Sequence, residues 1–182
     1  MSTQSVALLT VAAALIGAGI HSDIVHRRIS NRLNLLLTAA GFAANYWRFG
    51  ADGLWQSAGG LGAGLAGMFL LYLAGALGAG DAKFMAAIGA WFDWSGSLTA
   101  FAAGALLAGA VAIVRLARSP HAALHAANMT LMMQKVASGK LFDADFASYQ
   151  QFNRAGGSMP YGAFLGVGGL AVLALRLLGQ GA

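Results

Sequence analysis

Long apolar stretches constrain this chain more than any other feature. Six can be marked, approximately Ser5–His21, Leu33–Trp47, Leu54–Gly78, Phe84–Trp94, Leu98–Leu116 and Tyr161–Leu178. A helix needs about 20 apolar residues to cross the hydrocarbon of a bilayer. The third and fifth stretches meet that length comfortably, and the first and sixth come close. The second needs its flanks, and the fourth is too short unless it draws on polar neighbours. Charged residues make up only 9% of the chain and hydrophobic ones 58%, whereas a soluble domain carries about 25% charged residues. Too few polar side chains remain to cover a surface in water. The expected fold is therefore an all-α, polytopic transmembrane helical bundle of about six spans, with five spans and a half-helix as the rival count. The 26 glycines agree, because small residues let helices in lipid approach closely. No repeat and no Pro- or Ser-rich linker divides the chain, so residues 1–182 are read as one membrane-embedded domain.

Basic residues set the expected orientation. The first of them, Arg27 and Arg28, follow the first apolar stretch, which is the wrong order for a secretory signal and marks that stretch as a retained span. With the loop Ser22–Arg32 in the cytoplasm, six spans put Arg27, Arg28, Arg32, Lys83, Arg115, Arg118, Lys135, Lys140 and Arg154 on that side. Only Arg48 and Arg176 fall on the other. That imbalance is the positive-inside pattern. It accounts for the net charge of +5 without a nucleic-acid partner, and it places both termini outside the cytoplasm.

A polar stretch, Ser119–Ser158, separates the last two spans. Ser119-Pro120 reads as a helix start. Met129, Met132, Met133 and Val136 share a helical face, as do Phe142, Phe146 and Tyr149. Amphipathic cytoplasmic helices lying in the headgroup layer are expected there, either covering the ends of the bundle or helping to dock a substrate helix.

Six aspartates and no glutamate carry the negative charge. A carboxylate in a membrane is costly, and its presence points to function. Asp23 ends the first apolar stretch and Asp81 the third. In an alternating bundle both then lie at the cytoplasmic boundary at similar depth. Two carboxylates facing each other cannot both ionise easily and share a proton. One activates water as a base, and the other protonates the substrate as an acid. No covalent intermediate, cofactor or metal is required. Gly78-Ala79-Gly80-Asp81 offers a backbone that a partner helix or extended substrate can approach. Asp52 and Asp93, near Trp55 and Trp94, read as interfacial residues on the far side, and Asp143 and Asp145 lie in the polar stretch. His21, His26, His121 and His125 could suggest a metal site, but His21 and His26 are five apart, which is poor for one helical face, and no metal is expected; the lack of cysteine removes thiolate sites.

Three motifs add a resemblance. Asp23-Ile24-Val25-His26-Arg27-Arg28-Ile29-Ser30-Asn31 resembles the first aspartate motif of prepilin peptidases, the type IV leader peptidases, in which an aspartate leads a short basic stretch ending in Ile-Pro-Asn. Gly78-Ala79-Gly80-Asp81-Ala82-Lys83 resembles their second motif, Gly-x-Gly-Asp followed by lysine. Met159-Pro160-Tyr161-Gly162 resembles the Pro-Tyr-Gly opening of their last helix. Ser30 departs from the family's proline. The paired-cysteine insert of the larger, methylating members is missing, so the likeness is to the short Flp/Tad-type peptidases, without methyl transfer.

The resemblance implies an aspartic endopeptidase of the bacterial inner membrane. Its substrate would be a prepilin with a basic leader before a hydrophobic helix, cut at the cytoplasmic boundary by Asp23 and Asp81. Gly78, Gly80, Lys83, Asn31, Pro160 and Tyr161 are the expected supporting residues. Lys83 is placed to act on Asp81 or to anchor at the interface, and Asn31 and Asn34 to bond freed carbonyls at a helix start. Arg27, Arg28 and Arg32 read as topology anchors that meet lipid phosphates. Nothing in the sequence sets the oligomeric state. The rival functions are a small proton-coupled transporter or channel using the same aspartates, and a non-catalytic assembly subunit in which both are dispensable.

Overall fold

The structure, a computed structural model, describes residues 3–73, 78–118 and 160–179. These residues are helical throughout, apart from turns. The six helices are α1 (Thr3–His26), α2 (Asn31–Phe49), α3 (Ala51–Leu73), α4 (Ala79–Gly89), α5 (Trp94–Ala117) and α6 (Tyr161–Gly179). The amphipathic helices expected between residues 119 and 158 lie outside the described residues. Contacts divide the chain into two units, Met1–Ala105 with Met159–Ala182 and Leu106–Ser158. The helix packing and the candidate site belong to the first unit.

Short connections force antiparallel neighbours. Ser30 opens α2 from an extended backbone, and its hydroxyl accepts the Leu33 amide at 3.1 Å. Its φ of −70° is one a proline would also hold, so serine here keeps the turn and adds a cap. Gly50 alone joins α2 to α3. Its φ of +61° lies where a side chain would be strained, and its amide closes α2 on the Tyr46 carbonyl at 2.8 Å.

Three helices, α1, α5 and α6, are long and apolar enough to cross a membrane by length and composition. The third apolar stretch, expected to qualify comfortably, does not join them. Gly-rich α3 carries Asp52, Gln56 and Ser57, which dilute its apolar character, and the stretch continues into residues outside those described. The fourth stretch is also redrawn. Instead of Phe84–Trp94 the helix is Ala79–Gly89, 11 residues. At 1.5 Å per residue it is about 16 Å long, roughly half of a hydrocarbon core.

That half-length helix is the centre of the bundle. It packs against α2, α3 and α6, while α1 packs against α2 and α6. Phe84, Met85 and Ile88 of α4 are wholly buried, as are Ile16, Leu37 and Met68 around them. Beyond Lys83 this helix is apolar on every side, and such a segment belongs inside a protein rather than at its surface. Its neighbours come close because they lack side chains. A Cβ on Gly60 of α3 would collide with the Gly89 and Phe92 carbonyls, and one on Gly89 with the Gly60 carbonyl. Beyond α4 several buried polar groups are paired, although the Ser97 hydroxyl is buried without a hydrogen bond. Asn45 donates to Ser57 Oγ at 2.8 Å and the Ala90 carbonyl at 3.2 Å, and the Trp91 indole to the Leu37 carbonyl at 2.9 Å.

The close backbone contact gives a direct test. Gly60→Ala forces a methyl into backbone and is expected to lower stability by about 1–3 kcal/mol. Gly59, where a Cβ meets nothing within 4 Å, is the control. Gly59→Ala is expected to leave stability unchanged or raise it by up to about 1 kcal/mol through helix propensity. Thermal unfolding in detergent measures both.

Candidate active site

One end of the bundle gathers the C-terminus of α1 and the N-termini of α2, α4 and α6. Each brings part of a recognised motif. At the end of α1, His26 is the last helical residue and Arg27 takes a left-handed φ of 52°, with its amide bonded to the Asp23 carbonyl at 3.0 Å. Non-glycine residues rarely hold this conformation, and they do so where surrounding structure over-determines them. Here Ser22 Oγ donates to the Arg28 carbonyl at 2.6 Å, which pins the turn. Asp23 faces inward from the last turn and is only 6% exposed.

Asp81 sits in the first turn of α4 rather than at the end of the third span, the position expected from the sequence. It is the third helical residue after Gly78, which opens the helix. Its carboxylate reaches back to accept the Gly78 amide at 3.3 Å. A glycine provides no side chain to cap the helix, so the carboxylate makes one of the bonds such a cap would make.

The opening of α6 joins the two. Pro160 precedes the helix and carries no capping group, which leaves the first amides of α6 without a local acceptor. Asp23 supplies one from another helix, with Ala163 N–H donating to its Oδ2 at 2.8 Å. The Gly162 amide is directed at both carboxylates. A Cβ built on Gly162 would lie 3.0 Å from Asp81 Oδ1 and 3.1 Å from Asp23 Oδ2. The two oxygens are therefore no more than about 6 Å apart, near enough for each charge to act on the other.

One turn deeper, Phe84, with Ile20 of α1 also against Gly166, helps set the register of these helices. The ring of Phe84, three residues beyond Asp81, lies against Gly19 of α1 and Gly166 of α6. Gly19 precedes Asp23 by one turn, and Gly166 follows Gly162 by one turn. Wholly buried Phe84 thus helps fix how far α1, α4 and α6 are advanced past one another.

The supporting residues divide. Gly78 bonds Asp81 through its amide. A Cβ on Gly80 would meet nothing within 4 Å, so that backbone is open to an incoming chain and is not packed on a neighbouring helix. Lys83 Nζ donates to Asn31 Oδ1 at 3.3 Å, tying α4 to α2. Tyr161 is the first residue of α6 and is half-buried. The expectation that Asn31 and Asn34 bond freed carbonyls is not met. Groups left free at a helix start are amides, not carbonyls, and Ser30 takes one of them. Buried Asn34 has neither side-chain polar atom hydrogen-bonded. Two contributors were missed in the sequence, Gly162 and the Ala163 amide. The first stood inside the Pro-Tyr-Gly motif. Nothing in the residue type of an alanine reveals that its backbone will serve as a donor.

The other described aspartates lie elsewhere. Asp52 is exposed in the first turn of α3, where a negative charge suits the helix dipole. Asp93 pairs with Arg176 and accepts from Ser95 Oγ at 3.1 Å, at the opposite end of the bundle. The arginine also stacks on Phe92, 5.0 Å from the ring centre. Asp143, Asp145, His121 and His125 lie outside the described residues. Among the described residues no cluster of three or more His, Asp or Glu side chains is placed to hold a metal ion.

Asp81 lies outside the three candidate spans. Burial, and then the nearby Asp23 charge, push its carboxyl up from the usual 3.8 to about 6, with the Gly78 and Gly162 amides opposing. Folding therefore favours the protonated form. That contribution to stability is fully present below about pH 3.8 and is lost as pH rises through about 6. Asp81→Asn removes the group that ionises. The variant is expected to melt close to wild type at about pH 3.5 and a few degrees above it at about pH 8, as measured by thermal unfolding in detergent across that range. Equal melting curves at both ends would contradict the burial of this carboxyl.

A family model described as the type IV leader peptidase family matches residues 6–113. Searches among curated proteins and among solved structures each returned no match.

Proposed function

The chain belongs to the type IV leader peptidase family, and from that premise we propose that it is an aspartic endopeptidase whose catalytic pair is Asp23 and Asp81. Membership supports leader peptidase activity of the prepilin type and, with three helices apolar enough to span, a membrane protein. The observation that carries the finer reading is the convergence of the two carboxylates at Gly162. They come from distant parts of the chain, and no other pair of described aspartates is brought together.

In this reading Asp23 is the base. It accepts the Ala163 amide at the positive end of α6, which favours a negative charge. Asp81, whose carboxyl is pushed up, holds the shared proton. Asp23 takes a proton from water as the water oxygen bonds to the scissile carbonyl carbon. Asp81 gives its proton to the departing amide nitrogen as the C–N bond breaks. The products are a carboxylic acid and an amine, which pass to carboxylate and ammonium by moving the acid's proton to the amine, and the pair again holds one proton. The open space beside Gly80, where a Cβ would meet nothing within 4 Å, leaves room for an extended peptide beside the pair.

The substrate we assign is a Flp-type prepilin, a basic leader followed by a hydrophobic helix, cut at the cytoplasmic boundary of the bacterial inner membrane. Arg27, Arg28, Arg32 and Lys83 occupy the catalytic end and Arg48 and Arg176 the opposite end. That distribution supports a cytoplasmic site with both termini on the other side, and basic residues facing lipid phosphates rather than nucleic acid. Methyl transfer is not part of the proposal, because the chain has no cysteine for the paired-cysteine insert. The ion-relay alternative draws no support from the geometry, since both carboxylates sit at helix ends rather than near a midplane, where transporter sites lie.

Co-expression with a Flp-type prepilin tests the reading. Wild type is expected to release the leader and leave an unmethylated new N-terminus by mass spectrometry. Asp23→Asn and Asp81→Asn are each expected to lower cleavage by roughly 10³-fold or more. Normal processing by either variant would contradict the pair.

A further inference from the structure

Gly162 stands where four groups meet. A Cβ there would lie 2.6 Å from Ile29 Cδ1, 3.0 Å from Asp81 Oδ1 and 3.1 Å from Asp23 Oδ2, and the next amide, Ala163, donates to Asp23 at 2.8 Å. These contacts differ in kind. Ile29 Cδ1 is the tip of a half-buried, flexible side chain that can turn aside. The carboxylates have less freedom. Asp23 is held by the Ala163 amide, and Asp81 is held by the Gly78 amide at 3.3 Å. A methyl on residue 162 would thus be accommodated by the fold but not by the pair. It would press apolar carbon against both oxygens and crowd any water that bridges them, since such a water needs about 2.7–2.8 Å to each oxygen.

We propose that Gly162 is a positioning residue for hydrolysis: its bare backbone brings the start of α6 up to both carboxylates while leaving the space between them open to the attacking water. The inference rests on the protease reading of Asp23 and Asp81. Two properties of residue 162 are needed together. Its position in the first turn of α6 sends amides toward the pair, and its lack of a side chain lets that turn come this close. Any other residue type keeps the first property and loses the second.

The role differs from packing, and kinetics separate the two. Purified enzyme in detergent is assayed on a prepilin-type peptide, with thermal unfolding measured alongside. Gly162→Ala is expected to lower kcat by about 100-fold, with KM within about threefold of wild type and the melting temperature within a few degrees. The second variant, Gly162→Ala with Ile29→Val, removes the shortest of the three contacts and leaves the two to carboxylates. It is expected to remain as slow as the single variant. If the single variant does not fold, the double variant is read on the same criteria. Wild-type kcat in Gly162→Ala, restoration of kcat by Ile29→Val, or a loss confined to KM would each overturn the role of Gly162.

Asp23→Asn and Asp81→Asn run in the same assay tell the two levels apart. If both are inactive while Gly162→Ala is fully active, only the role of Gly162 falls. If either turns over normally, the catalytic pair falls and the role of Gly162 falls with it.

Discussion

A carboxylate inside an apolar protein must be hydrogen-bonded or give up its charge. The arrangement at the Asp23–Asp81 end of this bundle follows from that constraint. Asp23 is buried at the end of α1, and its acceptor capacity is met by the opening amides of α6, a helix with no cap of its own. Asp81 is met by the Gly78 amide, at the start of another helix without a capping side chain. Each carboxylate thus completes a helix terminus while the terminus satisfies the carboxylate. Neither group could be apolar without leaving amides unpaired, and neither could be moved far without losing its donor.

This mutual dependence requires accurate registration of three helices, and the packing provides it. Phe84 lies one turn below Asp81 and fills the space between Gly19 and Gly166. Its burial converts the position of α4 into the relative height of α1 and α6. The shortness of α4 has a matching consequence. A helix that spans only about half the hydrocarbon starts at the site and stops in the core, where the Asn45, Ser57 and Trp91 hydrogen bonds receive the chain as it turns into α5. The central helix therefore serves as the carrier of Asp81, with α2, α3 and α6 packed around it.

Much of this was legible in the residues. Apolar stretches located the helices, basic residues separated the two ends, and the cost of a charge in lipid singled out Asp23 and Asp81 among six. Other features depended on information that a linear pattern does not hold. The third stretch was read by its length alone, which does not show that its glycines serve close contact with α4. Asp81 was expected to end a span, because the break at Gly78 and the restart of a helix at Ala79 are invisible to an apolar count. Lys83 was read against its sequence neighbour Asp81, whereas a helical side chain two residues on points elsewhere and finds Asn31. Gly162 was hidden by its lack of chemistry, since its contribution is the absence of a side chain at a point defined by two other helices and the turn between α1 and α2.

The central claim is that Asp23 and Asp81 meet at one end of the bundle. The absence of native cysteine allows it to be measured directly by cross-linking. Cysteines replace Asp23 and Asp81 together, and the protein in membranes is treated with a thiol-to-thiol linker about 5 Å long, of the order of a disulfide's reach. A pair replacing Asp23 and Asp52, which lie at opposite ends, serves as the control. The account predicts an intramolecular cross-link in high yield for the first pair and none for the second. If both cysteines of the first pair react with a monofunctional reagent but do not cross-link, the two side chains do not meet and the account is wrong.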